Sequence, residues 1–165
     1  MTENGSPEKA QVCILVVDDH PSSAATLARV ISQLGPDVEV LSADSGARAL
    51  ELMQSRTVDL LVTDLVMPGV TGLELIERLQ TLPQGRPAYT ILMTAYDVPG
   101  LKEIARRLMV NEVVSKPIPP EVICRMVVRA MEVCGFDPIR REDAGPSDEP
   151  AAGGPRGDAV KGISE

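Results

Sequence analysis

Short apolar runs alternate with longer amphipathic stretches along residues 11–136. The runs are rich in Val, Ile and Leu, which is typical of strands buried on both faces of a sheet. Between them, apolar residues recur three or four positions apart, as they do on one side of a helix. This pattern predicts five strands, at residues 12–17, 38–41, 60–63, 89–94 and 112–115, and five helices, at residues 22–34, 46–56, 72–82, 101–108 and 120–134.

The regular alternation of strands and helices indicates an α/β fold of the (βα)5 type. A strand, a helix and a second strand in sequence normally form a parallel pair, with the helix crossing one face of the sheet. We therefore predict a doubly wound, five-stranded parallel sheet with five helices on its two faces. Ligands of such sheets bind beyond the carboxyl ends of the strands, where the strand order reverses.

The composition changes after Phe136. Residues 137–165 contain 4 Pro and 5 Gly among 29 residues, with few large apolar side chains and more acidic than basic groups. Such a segment cannot bury enough apolar surface to offset the entropy of ordering it. We therefore predict one domain at residues 11–136, a flexible N-terminal tail at residues 1–10, and a disordered, acidic, Pro/Gly-rich tail at residues 137–165.

Charge and composition exclude several classes of protein. The chain has 16 basic and 24 acidic side chains and a net charge of −8, which argues against nucleic-acid binding because phosphate repels an acidic surface. Its three cysteines are too far apart in sequence for a zinc site. With no evident signal peptide and no apolar stretch of membrane-spanning length, we expect a cytoplasmic protein without membrane contact.

Chemically active side chains stand at the ends of four predicted strands. Asp18 and Asp19 follow the first strand and Asp64 the third, while Thr94 ends the fourth and Lys116 follows the fifth. Three carboxylates at one end of a sheet repel each other unless a cation lies among them, and ligand sets made only of oxygen favour Mg²⁺. A hydroxyl and an ammonium group beside that ion suit a phosphoryl group.

Four segments around these residues resemble the receiver domain of response regulators in two-component signalling. They are LVVDDHP at 15–21, VTDLVMPG at 62–69 together with Gly72, ILMTA at 91–95, and VVSKP at 113–117. Their order and spacing make the resemblance specific, and it covers residues 11–136. It implies a flavodoxin-like fold and a domain that accepts a phosphoryl group.

The resemblance implies a role for each acidic residue. Asp64 is the expected phospho-acceptor, taking the phosphoryl group from a histidine kinase phosphohistidine or a small phosphodonor in a Mg²⁺-dependent reaction. Asp19 would bind Mg²⁺ directly and Asp18 largely through water, with Asp64 and the backbone carbonyl of Val66 completing the protein ligands. The metal and Lys116 would neutralise charge on the phosphoryl oxygens, which is most of the catalysis that such transfers need.

Three further positions concern the switch that follows phosphorylation. By resemblance, Thr94 turns its hydroxyl toward the phosphoryl group and moves the loop after the fourth strand. Pro117 stands at the family's cis-proline position, which would aim Lys116. Val113 departs from the pattern, because many members carry a Tyr or Phe there. The usual coupling of Thr94 to a rotating aromatic is therefore not predicted.

Two residues occupy positions that tune phosphoryl lifetime in the family. Val66 lies two residues beyond the phospho-acceptor, and Tyr96 lies two residues beyond the threonine. An apolar side chain and a bulky one at these places should hinder attack by water. The resemblance therefore implies a long-lived phosphoaspartate.

Two other functions remain open on the sequence. A degenerate receiver would dock to partners without phosphorylation, although the complete set of acids with Thr94 and Lys116 argues against it. A phosphohydrolase of the haloacid dehalogenase type needs a second acid two residues after its nucleophilic aspartate, and Val66 and His20 stand at those places instead. His20 lies beside two acids, but the mechanism does not require it, and Pro21 predicts an exposed corner between loop and helix.

The resemblance also implies partners. A sensor histidine kinase or a histidine phosphotransfer protein would supply the phosphoryl group, and an unidentified downstream protein would receive the signal. The 29 residues after the domain are too few for a DNA-binding output domain, so we expect a stand-alone receiver that is no enzyme beyond its own phosphorylation and dephosphorylation. Family members often pair through the fourth helix, fifth strand and fifth helix, so residues 98–134 are the candidate surface for a phosphorylation-dependent dimer.

Overall fold

A computed structural model describes residues 11–137. Within them, five strands form one parallel sheet in the spatial order β2-β1-β3-β4-β5. The strands are β1 (Val12–Val17), β2 (Val38–Ala43), β3 (Leu60–Asp64), β4 (Tyr89–Thr94) and β5 (Glu112–Ser115). The prediction of a five-stranded parallel sheet is confirmed. The predicted tails lie outside the described residues, apart from Asp137.

Five helices connect and cover the strands. They are α1 (Pro21–Ser32), α2 (Gly46–Ser55), α3 (Gly72–Leu79), α4 (Leu101–Arg107) and α5 (Pro120–Val133). α3 begins with a capping box. The backbone N–H of Glu74 donates to the Thr71 hydroxyl, and the backbone N–H of Thr71 donates to the Glu74 carboxylate. The helix ends at Leu79, three residues before the predicted end at residue 82. The N–H groups of residues 80–82 bond to carbonyls three residues back instead of four, and Pro83 follows.

Apolar side chains of β1 point alternately to the two faces of the sheet. Leu15 and Val17 pack with side chains of α2, α3 and α4, whereas Ile14 and Val16 pack with side chains of α1 and α5. Helices therefore cover both faces, as the sequence predicted for a doubly wound sheet. This layered core supports the ends of the inner strands from both sides.

The outer strands are less buried than the sequence pattern suggested. β2 and β5 each have one neighbouring strand, and most of their residues are only partly buried. The prediction of burial on both faces is wrong for these two, because an apolar run does not distinguish an inner strand from an outer one. Ile104, on the predicted apolar side of α4, is exposed. No helix within residues 11–137 is long and apolar enough to cross a membrane.

The strand order reverses between β1 and β3. The chain leaves β1 to add β2 on one side, and then returns to add β3 on the other side of β1. The connections from β1 and β3 therefore diverge, which leaves a cleft at the carboxyl ends of these strands. The register pairs Val17 with Thr63, so the residues that follow, Asp18 and Asp64, lie side by side at the reversal.

Candidate functional site

Asp18 lies fully buried at the end of β1. Its Oδ1 accepts a hydrogen bond from the backbone N–H of His20 at 2.9 Å, and its Oδ2 accepts one from Lys116 Nζ at 2.7 Å. Burial by itself raises the pKa of the Asp18 carboxyl, but the bonds from Lys116 and His20 outweigh that effect and hold the pKa below its usual value. Asp18 is therefore buried in its ionised form.

Lys116 connects the carboxyl ends of β1 and β3 through its ammonium group. Nζ donates to Asp18 Oδ2 and, at 3.0 Å, to Asp64 Oδ2. Burial by itself lowers the pKa of the ammonium, yet the two carboxylates raise it above its usual value. The backbone N–H of Lys116 donates to the carbonyl of Thr94 at 2.7 Å, and its peptide bond to Pro117 is cis. The lysine thus carries a fixed positive charge at the reversal of the strand order.

Asp64 is the last residue of β3 and is buried. Gly72, the first residue of α3, packs directly against its backbone: a Cβ added there would lie 2.2 Å from the Asp64 carbonyl oxygen. The Gly72 N–H also donates to the carbonyl of Leu65 at 2.9 Å. The start of α3 therefore holds the end of β3 in place, and glycine is required at that contact because any side chain would clash.

Asp19 contributes a buried oxygen without a hydrogen bond. Its Oδ1 is buried and has no hydrogen bond within the described structure, although such groups are normally paired. The possible ligand atoms of Asp18, Asp19 and His20 lie within 4.8 Å of one another. A divalent cation would satisfy the unpaired oxygen, so the carboxylates of Asp18 and Asp19 fit the Mg²⁺ that the sequence predicted. Asp64 lies outside this cluster and faces Lys116.

Thr94 lies at the site, but its hydroxyl is engaged elsewhere. Thr94 Oγ1 donates to the carbonyl of Tyr96 at 2.9 Å and accepts from the Tyr96 N–H at 3.1 Å. Within the described structure, the hydroxyl therefore stabilises the loop after β4, and neither of its hydrogen bonds goes to Asp64 or Lys116. The predicted role of Thr94 requires these two bonds to break.

The other predicted positions differ in exposure. Val66 and Tyr96 are exposed on the loops that follow β3 and β4, with 51% and 64% of their surface accessible. Val113 is partly buried and packs against the core beneath α2, α3 and α4. The first two residues can therefore meet solvent or a partner, whereas Val113 faces the interior.

Sequence reasoning missed a groove beside the site. It has a volume of about 540 Å³ and runs between α1 and the loop after β5. Its walls are formed by Asp18, Ser22, Ser23, Thr26, Leu27, Met93, Ala95, Lys116, Pro117 and Ile118. These residues come from separate parts of the chain, so no single segment of the sequence indicated the groove.

Comparisons with known proteins identify the family of the chain. Residues 14–128 match the family model of the response regulator receiver domain. The chain is 36% identical over 118 residues to an uncharacterized 14.6 kDa protein of Leptolyngbya boryana, covering 72% of this chain and 88% of that protein. It is 35% identical over 107 residues to the cyclic di-GMP phosphodiesterase response regulator RpfG of Xanthomonas campestris pv. campestris, covering 65% of this chain and 28% of RpfG.

A solved structure extends the likeness to the fold. The chemotaxis protein CheY4 of Vibrio cholerae superposes with a TM-score of 0.67 at 25% identity, covering 73% of this chain and 99% of CheY4. The region matched by the family model includes every strand end described above. The fold of the chain, its match to the family model and its structural neighbours all agree. The chain belongs to the response regulator receiver domain family.

Proposed function

We propose that Asp64 accepts a phosphoryl group from the phosphohistidine of a sensor histidine kinase or a histidine phosphotransfer protein. The observation that carries the proposal is the ammonium of Lys116, which lies 2.7 Å from Asp18 Oδ2 and 3.0 Å from Asp64 Oδ2. A positive charge in contact with the acceptor carboxylate is what phosphoryl transfer needs, because its catalysis is mainly positioning and electrostatic stabilisation.

The transfer is a displacement at phosphorus. An oxygen of the Asp64 carboxylate attacks the phosphorus, an O–P bond forms, and the N–P bond of the phosphohistidine breaks as the imidazole leaves with its electron pair. Lys116 then donates to an oxygen of the transferred group. Because Lys116 also bonds Asp18, the ammonium is already oriented before the donor arrives.

The reaction needs a divalent cation, and this chain's residues fit one. Asp18, Asp19, Asp64 and the backbone carbonyl of Val66 would hold Mg²⁺. When bound, the ion supplies positive charge to the phosphoryl oxygens. The buried, unpaired Oδ1 of Asp19 supports this assignment, because a cation would replace the missing hydrogen bond.

Switching follows from the position of Thr94. When its hydroxyl turns to the phosphoryl group, its two bonds to the backbone of Tyr96 break. Tyr96 is exposed, so the released loop changes the surface that a partner meets. With Val113 in place of an aromatic, we propose that this loop carries the signal to a downstream protein or to a second copy of the chain.

The phosphodonor would approach through the groove between α1 and the loop after β5. The groove reaches Asp18 and Lys116 at one end and has apolar walls from Leu27, Met93 and Ile118. A partner helix could bury apolar side chains there and present a histidine to Asp64. We place the kinase or phosphotransfer protein on this face, in a cytoplasmic setting.

Intact-mass measurement with a small phosphodonor and Mg²⁺ tests the proposal. The chain should gain one phosphoryl group, and Asp64→Asn should abolish the gain because the nucleophile is lost. Asp44→Asn is the matched control: Asp44 is an exposed acid at the same end of the sheet, after β2. No gain in the unmodified chain would favour a docking module without phosphorylation, and a gain that survives Asp64→Asn would defeat the site assignment.

A further inference from the structure

His20 lies beside the proposed metal site, and the family resemblance gives it no role. Its imidazole Nδ1 is 3.4 Å from Asp18 Oδ1 and 3.3 Å from Asp19 Oδ1. Neighbouring ligands of an octahedral ion with bonds of about 2.1 Å are separated by about 3 Å. The imidazole therefore lies at nearly the separation expected of a third ligand beside the two carboxylates.

Within the described residues, the imidazole lies at ion-pair distance from both carboxylates but makes no hydrogen bond to either. Asp19 Oδ1 has no hydrogen-bond partner within the described residues, although His20 Nδ1 is near it. Asp18 Oδ1 already accepts from the backbone N–H of His20 at 2.9 Å. That backbone bond holds His20 at the site, while the imidazole and the unpaired oxygen of Asp19 face each other as two donors to a common ion would.

The exposure of His20 leaves room for the remaining ligands. Its side chain is 73% exposed, whereas that of Asp18 is fully buried. The buried carboxylate gives the site a rigid base, and the open side admits water or phosphoryl oxygens. Both are needed in a site that binds a cation and then a phosphodonor.

We propose that His20 is a further ligand of the divalent cation, through Nδ1, and that it raises the affinity of the site for first-row transition ions relative to that for Mg²⁺. This inference rests on the proposed function, since it concerns the same cation. Mg²⁺ prefers oxygen ligands, whereas imidazole suits ions such as Ni²⁺ and Zn²⁺. Asp18, Asp19 and His20 then form a mixed oxygen and nitrogen site whose metal preference depends on the imidazole.

The composition of the chain makes the ligand directly observable. His20 is its only histidine, so every imidazole ¹⁵N resonance of tag-free, full-length protein belongs to this residue. Addition of ZnCl₂ should shift the Nδ1 resonance in the unmodified chain, and Asp19→Asn should weaken the zinc dependence of that shift. An unchanged Nδ1, or a shift indifferent to Asp19→Asn, would mean that zinc does not bridge these side chains, and the inference would fail.

Calorimetry with NiCl₂ and MgCl₂ measures the selectivity. In His20→Ala, the ratio of Ni²⁺ affinity to Mg²⁺ affinity should fall by at least about fivefold, because a nitrogen ligand is lost. Asp44→Asn, which changes an acid outside the cluster, should keep the ratio of the unmodified chain. A smaller fall in His20→Ala, or an equal fall in Asp44→Asn, overturns the role of His20.

The mass measurement on the unmodified chain separates this inference from the proposed function. A phosphoryl gain on Asp64 together with an unchanged affinity ratio in His20→Ala removes His20 and leaves the receiver function intact. The reverse result, a large change in the ratio without phosphorylation, retains the metal site and rejects the phosphorylation.

Discussion

The amino and carboxyl ends of the sheet hold their buried polar groups in different ways. At the amino end, the Asp59 carboxylate accepts from the backbone N–H of Cys13 at 2.9 Å, and the Asp59 N–H donates to the Cys13 carbonyl at 2.8 Å. The hydroxyl of Tyr89 donates to the carboxylate of Glu112 at 2.5 Å. These groups bond to each other, so they tie neighbouring strands together.

At the carboxyl end, the polar groups are incompletely paired. Asp18 and Asp64 both accept from one ammonium group, and Asp19 has a buried oxygen without a hydrogen bond. Unpaired buried groups cost free energy, and a cation bound to the Asp19 oxygen would remove that cost. Among residues 11–137, the one buried side-chain oxygen without a hydrogen bond lies at the carboxyl end. The sheet is therefore held together at its amino end and can receive a cation at its carboxyl end.

The largest expected effect comes from disturbing the contact between Gly72 and Asp64 at the carboxyl end of the sheet. Gly72→Ala would place a Cβ 2.2 Å from the Asp64 carbonyl oxygen, so the end of β3 or the start of α3 must move. We expect a loss of about 3 kcal/mol in the free energy of unfolding, measured with urea. Gly69→Ala is the control: nothing lies within 4 Å, and its φ of +77° costs about 1 kcal/mol. Equal losses in the two variants would contradict the proposed clash.

The lifetime of the phosphoryl group on Asp64 tests the exposed residues Val66 and Tyr96 at the carboxyl end of the sheet. Val66→Asn and Tyr96→Glu should each shorten the half-life of the phosphoaspartate by about tenfold, equivalent to about 1.4 kcal/mol in the barrier, because polar groups there admit and orient water. The decay can be followed by intact mass after the phosphodonor is removed. Val133→Asn, an exposed valine on α5, should leave the half-life unchanged. A half-life of seconds that neither variant alters would reject the idea.

Alkaline titration tests the hydrogen bond between Tyr89 and Glu112 at the amino end of the sheet. Burial, together with the hydrogen bond to the Glu112 carboxylate, raises the pKa of Tyr89 from 10.0 to about 12. The folded chain therefore keeps this proton longer than the unfolded chain does. Its contribution to stability is complete below about pH 10 and is lost as the pH rises toward 12.

The readout is the difference between variants, since other groups titrate in the same range. The free energy of unfolding should fall more steeply between pH 10 and 12 in the unmodified chain than in Tyr89→Phe. Glu112→Gln should lower the pKa of Tyr89, as seen by phenolate absorbance, because the negative charge is removed. Parallel stability profiles in the unmodified chain and Tyr89→Phe would show that the pairing at this end is not as tight as described.

The smallest effect is expected at the turn before β5, also at the amino end. Met109 has a φ of +58°, a left-handed conformation that strains a residue with a side chain, and 54% of it is exposed. Met109→Gly should raise the free energy of unfolding by roughly 0.5 kcal/mol and leave phosphorylation unchanged, because the turn is at the far end of the sheet. Destabilisation, or altered phosphorylation, would show that the two ends are coupled.

The sequence pattern predicted the inner strands better than the outer ones. β1, β3 and β4 are buried on both faces, so their apolar runs reflect their surroundings directly. β2 extends to Ala43, beyond the predicted residue 41, because Ser42 and Ala43 pair with Val16 and Val17 of β1. Those two residues are too polar or too small to continue an apolar run, and backbone pairing rather than side-chain character makes them part of the strand.

The sequence predicted which strand ends carry the candidate site residues but not the contacts between them. The acids, Thr94 and Lys116 all stand directly at strand ends, where a parallel sheet must gather them. The bonds between Thr94 and the backbone of Tyr96 could not be predicted, because they depend on how the loop after β4 folds back. The position of His20 over the carboxylates likewise depends on the loop after β1.

The sequence by itself determined the alternation of strands and helices and the chemistry at each strand end, because both are local properties of the chain. Only the tertiary structure decided which of those groups meet. Lys116 and Asp18 are 98 residues apart and bond because β1 and β3 lie side by side while β5 delivers the lysine across β4. The unpaired oxygen of Asp19 also exists only in the folded chain, since water would satisfy it before folding.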